Sequence, residues 1–193
     1  MMKFMKKSLS FFITFMLIAV TAGATGSLLP YKFDKFDYND KLPSNSVIRI
    51  FNDKEGFMWF GTRDGLCRFD GYSVKVFRSS ALTPGKLTNN EIQCIAEDNY
   101  GKLWVGTIEG INIFDKKNFF ISPLVNKYIS KERINSILCD SHGYIWIATS
   151  NYGVLRMNPN TYQFERFSTD KNSPLQLKSN NVTYIYEDHN GTI

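Results

Sequence analysis

Residues 98–107 read DNYGKLWVGT, and the same ten-residue pattern returns at residues 53–62 (DKEGFMWFGT) and 140–149 (DSHGYIWIAT). The shared pattern is D-x-x-G-x-h-W-h-[GA]-T, where h is an apolar residue. A fourth copy starts at Asp188 and reaches Ile193, one position before its tryptophan is due. Such a repeat decides the architecture of the whole chain. Its structural positions are Asp53, Gly56, Trp59, Asp98, Gly101, Trp104, Asp140, Gly143 and Trp146.

The repeat extends beyond this motif. The aspartates are 45, 42 and 48 residues apart, and apolar residues lie six and three positions before each of them. Each copy divides into four short apolar runs separated by turn residues. In the first copy the pattern predicts strands at 47–51, 58–62, 66–69 and 72–77, with Asp70-Gly71 as a two-residue hairpin turn.

Four antiparallel strands in each repeat of about 45 residues predict an all-β fold made of β-propeller blades. A single four-stranded sheet cannot bury both of its faces, whereas repeats stacked face to face cover each other. The tryptophans are predicted to fill the space between adjacent blades. Propellers need at least about four blades to close, so the ring is predicted to be incomplete. The predicted partners of these blades are the remaining blades of the same polypeptide.

The order of the repeats predicts the organisation of the chain. Residues 1–24 have a basic start, an apolar run at 9–20 and a small-residue end, which is typical of a secretory signal peptide, with an uncleaved anchor as the alternative. Residues 25–40 are predicted to supply a strand that closes the ring, because 31–36 resembles the fourth strands of the repeats. The blades are predicted at residues 41–80, 81–127, 128–170 and, in part, 171–193.

The charge of the chain argues against a nucleic-acid partner. The formal net charge is +5, but three of the 23 basic residues lie within residues 1–24. The remaining 20 basic residues nearly balance the 18 acidic ones. Nucleic-acid binding needs clustered Lys and Arg, and no such stripe is found in the sequence.

Few residues are candidates for catalysis. The two histidines, His142 and His189, both fall in predicted turns, and the recurring aspartates are interpreted as turn residues that bond their own backbone. The three cysteines lie in apolar runs and are expected to be buried thiols. An enzyme needs a convergent set of acids and bases. The sequence therefore predicts no catalytic residue, no metal site and no cofactor.

Candidates for ligand binding are found in the turn that follows the motif threonine. This turn differs in every copy, while the residues on either side of it stay fixed. Its polar and aromatic side chains could bind a ligand, and ordinary variation at a solvent-facing turn is the alternative. The candidates are Arg63, Asp64, Glu109, Asn151 and Tyr152.

The full pattern, N-x-h-x-x-h-x-x-D-x-x-G-x-h-W-h-G-T-x-x-G-h, resembles the two-component regulator propeller repeat over residues 31–193. The third copy departs from it at Glu132, at Ala148 and by one extra residue in 150–153. The resemblance implies the sensor region of a Bacteroides-type hybrid two-component histidine kinase. Such a sensor is periplasmic, belongs to a homodimeric protein anchored in the inner membrane, and helps to detect glycan fragments.

The resemblance also implies that this segment is not itself an enzyme, since the kinase would follow in a longer protein. An oligosaccharide is the expected ligand. Two other functions stay open on the sequence alone. One is a secreted propeller lyase or glycosidase, and the other is a non-catalytic interaction scaffold.

Overall fold

The computed structural model describes residues 42–80 and 82–193. The predicted signal peptide (1–24) and closing strand (25–40) lie outside the described residues and stay predictions. No described segment forms a helix long and apolar enough to cross a membrane. The described residues contain twelve strands: β1 Val47–Asn52, β2 Met58–Thr62, β3 Gly65–Phe69, β4 Val74–Phe77, β5 Ile92–Glu97, β6 Leu103–Thr107, β7 Gly110–Asp115, β8 Phe120–Pro123, β9 Ile134–Cys139, β10 Ile145–Thr149, β11 Val154–Met157 and β12 Phe164–Phe167.

The strands form three four-stranded antiparallel sheets, each built from four consecutive strands. We call them blade 1 (β1–β4), blade 2 (β5–β8) and blade 3 (β9–β12). The first strands of successive blades pack together, β1 on β5 and β5 on β9. Repeated sheets stacked in this way are propeller blades, so the predicted fold class is confirmed.

The motif aspartate holds a tight turn between the first and second strands of each blade. In blade 2, Asp98 Oδ1 accepts the N–H groups of Tyr100 (2.8 Å) and Lys102 (2.9 Å), and Oδ2 accepts the Trp104 indole N–H (2.9 Å). Gly101 takes a positive φ of 79°, which glycine adopts without strain. One carboxylate thereby ties the turn to the indole. The same bonds recur at Asp53 and Asp140, and the turn bonds recur at Asp188.

The motif tryptophans lie between successive blades. Trp59 is buried against Ile92 and Val105 of blade 2, and Trp104 is buried against residues of blade 3. Trp146 is half-buried, and it packs with side chains of residues 171–193. That segment contains no strand, yet it covers part of the face of blade 3 that is turned away from blade 2. Apolar burial between neighbouring repeats therefore holds the blades together.

The residue two positions after the tryptophan lies close to the next blade in blades 1 and 2. A Cβ on Gly106 would lie 2.8 Å from Ile134 Cγ2 and would overlap the Sγ of Cys94, its cross-strand partner. In blade 3 the equivalent residue is Ala148, and its cross-strand partner is the smaller Ser136. The third copy therefore tolerates a methyl group because the side chain facing it is smaller.

We expect Gly106→Ala to lower the free energy of unfolding by about 1–3 kcal/mol, since the added methyl group overpacks a filled interface. Urea denaturation measures this change. Adding Cys94→Ser and Ile134→Val should recover part of the loss, because the two substitutions make room for the methyl group. A loss that the triple variant does not reduce would contradict this account.

The structure corrects one predicted turn. The pairing of Phe69 with Val74 leaves a four-residue loop, so the two-residue hairpin predicted at Asp70-Gly71 is wrong, and β4 begins at Val74 rather than at residue 72. The Asp70 carboxylate accepts the N–H groups of Tyr72 and Ser73 and the Ser73 hydroxyl. These side-chain bonds stabilise the longer loop, and they lower the pKa of Asp70.

Candidate ligand-binding face

Each blade has two distinct ends, because its strands alternate in direction. The turns between first and second strands and between third and fourth strands lie at one end, which we call the motif end. The turns between second and third strands lie at the other end, with the connections to the next blade. We call this the connection end. All the predicted binding residues lie there: Arg63, Asp64, Glu109, Asn151 and Tyr152.

The backbone of each connection-end turn is held on both sides. In blade 2, Thr107 Oγ1 donates to the Gly110 carbonyl (3.0 Å) and accepts the Glu109 N–H (3.0 Å). The Gly110 N–H then donates to the Glu132 carbonyl (2.8 Å), at the start of the next blade. Thr62 and Thr149 make the same bonds in their blades. The turn is therefore rigid, while its central side chains are free to differ between blades.

The turn of blade 1 carries a surface ion pair. Asp64 accepts a hydrogen bond from the Arg78 guanidinium (2.9 Å), and Arg63 is exposed beside it. The Asp64 carboxylate is already paired with Arg78. A ligand can therefore donate a hydrogen bond to Asp64 only if Arg78 moves away or if both donors bind the carboxylate together.

The turn of blade 2 borders a cleft. Glu109 is exposed, and its carbonyl accepts the Thr88 hydroxyl (3.3 Å). The cleft beside it has a volume of about 250 Å³, and Leu124 and Lys131 also line it. A mixed apolar and charged cleft on a rigid turn is suited to holding a small polar ligand.

The turn of blade 3 explains a departure from the repeat. Glu132 is buried, and its carboxylate accepts the N–H (2.9 Å) and the side-chain amide (3.0 Å) of Asn151. The extra residue in this turn is thereby held by the glutamate that replaces the usual asparagine. Tyr152, next to it, lies 5.6 Å from Tyr128, measured between ring centroids.

The structure adds side chains that the sequence analysis did not identify. Lys127 and Tyr128 come from the connection before blade 3, and Arg166 comes from β12. They lie outside the repeated motif, so no periodic signal marks them. Within residues 42–80 and 82–193, no hydrogen bond, ion pair or ring contact joins the three predicted turns to one another, so each blade presents its own turn.

The motif end carries a cleft of its own, between blades 2 and 3. It is lined by Asn99, Tyr100, His142, Tyr144, Asn158 and Asn160, and the Asn160 amide donates to the Tyr100 hydroxyl. Of these residues, only His142 was considered from the sequence, as a residue of a predicted turn. One feature of the sequence indicates the cleft: amide and aromatic side chains occupy the variable positions of the motif in copies two and three, at Asn99, Tyr100, His142 and Tyr144.

Chemically reactive groups are scarce in the part of the chain that the structure describes. Burial raises the pKa of the Cys67 and Cys94 thiols to about 12, so neither is a thiolate at neutral pH. His142 and His189 are exposed. Among residues 42–80 and 82–193 no three His, Cys, Asp or Glu side chains group as metal ligands would.

Comparison with known families identifies the repeat. The family model of the two-component regulator propeller matches residues 41–64, 86–109 and 128–151. Each matched segment spans the first two strands of one blade and the aspartate turn between them. The three matched segments are two-component regulator propeller repeats.

The proteins similar to this propeller chain include a histidine kinase and a hybrid two-component system. It is 41% identical over 68 residues to histidine kinase P4 of Formosa agariphila, a match covering 35% of this chain and 5% of that protein. The extracellular domain of a hybrid two-component system from B. thetaiotaomicron shares the fold, with a TM-score of 0.71 at 23% identity, over 80% of this chain and 22% of that one.

A virginiamycin B lyase from Staphylococcus aureus also shares the fold, with a TM-score of 0.53 at 14% identity, over 65% of this chain and 42% of that one. The propeller chain thus spans a small part of the relatives it matches. A propeller fold is common to sensors and enzymes, so function must be argued from the site.

Proposed function

We propose that this chain is part of the extracytoplasmic sensor region of a hybrid two-component histidine kinase, and that its connection end contacts an oligosaccharide. The observation that carries the proposal is the register of the family repeats, since all three matches fall on the same two strands of successive blades. The similarity to histidine kinase P4 supports the same class of protein. The segment then detects or positions a ligand, and catalysis belongs to the kinase.

The geometry of the connection end supports a binding role. Each turn is held by a threonine hydroxyl on one side and by a backbone hydrogen bond on the other, so its side chains are presented without the cost of ordering a loop on binding. Exposed Arg63 and Glu109 offer charged hydrogen-bond groups, and the cleft beside Glu109 provides a concave surface. A lyase or glycosidase would need a convergent acid and base. The exposed His142 lies at the motif end, away from the connection-end cleft.

We expect the full-length protein to bind at least one member of a broad panel of plant and algal oligosaccharides in isothermal titration calorimetry. Arg63→Ala or Glu109→Ala should weaken that binding about tenfold, the usual effect of losing one hydrogen bond to a charged group. Autophosphorylation with labelled ATP, measured with and without the bound oligosaccharide, tests the coupling to a kinase.

Tyr100→Ala is the matched control, because Tyr100 lines the cleft at the motif end. It should leave the affinity unchanged. If Tyr100→Ala abolishes binding while Arg63→Ala and Glu109→Ala do not, the ligand binds at the motif end instead. If no oligosaccharide binds and none changes autophosphorylation, the sensing role is wrong.

A further inference from the structure

Three aromatic rings form a row on blade 3 that runs from Tyr152 at the connection end to Phe164 at the start of β12. Tyr128 is central, with its ring centroid 5.6 Å from that of Tyr152 and 5.9 Å from that of Phe164. The three residues come from the connection before β9, the β10–β11 turn and β12. All three remain partly exposed. The extra residue in the turn distinguishes this blade from blades 1 and 2, and it places Tyr152 in the row.

Two cations lie against the central ring. The Lys127 ammonium and the Arg166 guanidinium are each 4.7 Å from the Tyr128 ring centroid. Hydrogen bonds that Lys127 and Arg166 donate to the Tyr128 hydroxyl lower its pKa. Arg166 is paired with Asp170 at 2.6 Å. Within residues 42–80 and 82–193, Lys127 forms no ion pair, so the group carries an uncompensated positive charge.

We propose that Lys127, Tyr128, Tyr152 and Arg166 form a binding site for an acidic sugar residue bearing a carboxylate or a sulfate ester. This inference rests on the proposed function and specifies the chemistry of the oligosaccharide. The aromatic faces carry partial negative charge, so they attract the C–H edge of a pyranose ring, whose hydrogens are slightly positive. The anionic group of the sugar then meets the two cations.

An acidic group suits this site better than a neutral one for an electrostatic reason. Two like charges close to one ring repel each other, and Asp170 compensates only one of them. A bound anion compensates the second. The guanidinium of Arg166 uses one amino group on Asp170, so its other N–H donors can take a carboxylate or sulfate oxygen.

Calorimetry on the full-length protein tests this site with three probes of equal length: tetragalacturonate, a sulfated κ-carrageenan tetrasaccharide and neutral cellotetraose. We expect one or both acidic probes to bind at least tenfold more tightly than cellotetraose. Lys127→Gln and Arg166→Gln should each weaken acidic binding about tenfold, the effect of losing one charge-assisted hydrogen bond. Higher salt should weaken it further.

Preference for tetragalacturonate assigns a carboxylate, and preference for the carrageenan probe assigns a sulfate. Lys117→Gln is the matched control, since this exposed lysine lies at the motif end. Equal or tighter binding of cellotetraose overturns the acidic site but leaves the proposed sensor function intact. Acidic binding that survives Lys127→Gln and Arg166→Gln, or no binding of any of the three probes, also overturns it.

Discussion

Replacing Trp104 with alanine is expected to lower the free energy of unfolding by about 3–5 kcal/mol, the usual cost of removing a large buried aromatic side chain. The Trp104 side chain is only 1% exposed, and it packs with Ile134 and Ile147 of the next blade. Its removal leaves a cavity between blades 2 and 3. It also leaves Asp98 Oδ2 without its indole donor. Equilibrium urea denaturation followed by far-UV circular dichroism measures the loss.

Trp146→Ala provides the internal comparison. Trp146 has the same hydrogen bond, to Asp140 (2.7 Å), but its ring is only half-buried. Measured on the 193-residue chain, Trp146→Ala should therefore cost clearly less than Trp104→Ala. If the two substitutions cost the same, the hydrogen bond dominates rather than the packing between blades. If Trp104→Ala costs less, the tryptophan is not the main contact between blades.

The blade architecture could be predicted because the residues that specify it recur at fixed spacing. Asp98, Gly101 and Trp104 form one connected turn, with the carboxylate bonded to both the backbone and the indole. A local unit of this kind is visible in ten residues of sequence. The position of the candidate binding turns followed from the same repeat, since a variable segment between a fixed Thr and a fixed Gly must be a turn in every copy.

One loop and the contacts between distant residues could not be predicted in the same way. The loop at Asp70 depends on side-chain bonds within four residues, which compete with the two-residue turn that Asp-Gly favours. Tyr128 and Arg166 meet across 38 positions of sequence at sites without a repeat pattern. Nothing in the sequence separates them from other exposed residues, and only the fold brings them together.

The least predictable contact is an ion cluster that joins blades 1 and 2 through Lys116. The Lys116 ammonium lies 2.8 Å from Glu97 and 3.2 Å from Asp53, which is 63 positions away. The three side chains are 5%, 4% and 0% exposed, respectively. Glu97 also accepts the backbone N–H of Lys54 in blade 1 (2.8 Å). In the same way Glu187, in the fourth copy of the repeat, accepts the backbone N–H of Ser141 in blade 3. A glutamate before the motif aspartate thus bonds to the preceding repeat.

Lys116→Met is expected to lower the free energy of unfolding by about 3–5 kcal/mol at neutral pH, because it leaves two buried carboxylates without their cation. Thermal and urea denaturation of the purified variant measure the loss. Adding Glu97→Gln should restore part of the stability, since it removes one of the unpaired charges. Lys117→Met is the control, and this exposed neighbour should change stability by less than about 0.5 kcal/mol.

The pH dependence gives this prediction a second test. Burial alone would raise the pKa of Asp53, but hydrogen bonds from Trp59, Phe57 and Lys116 hold it below its usual value. Burial alone would lower the pKa of Lys116, but Glu97 and Asp53 raise it. In the native protein, ionised Asp53 therefore stabilises the fold at pH values above the pKa of an aspartate in the unfolded chain. This stability is lost as the pH falls through the lower pKa of Asp53 in the folded protein.

Lys116 contributes stability below the unfolded pKa of a lysine, and this stability is lost as pH rises through the higher folded value. In Lys116→Met the folded pKa of Asp53 should rise, so acidification removes the penalty of its buried charge. The stability difference between the native protein and Lys116→Met should consequently shrink from pH 7 towards pH 4. A difference that stays constant over this range would show that Lys116 contributes through the packing of its aliphatic chain, and that the cluster does not join the blades by charge.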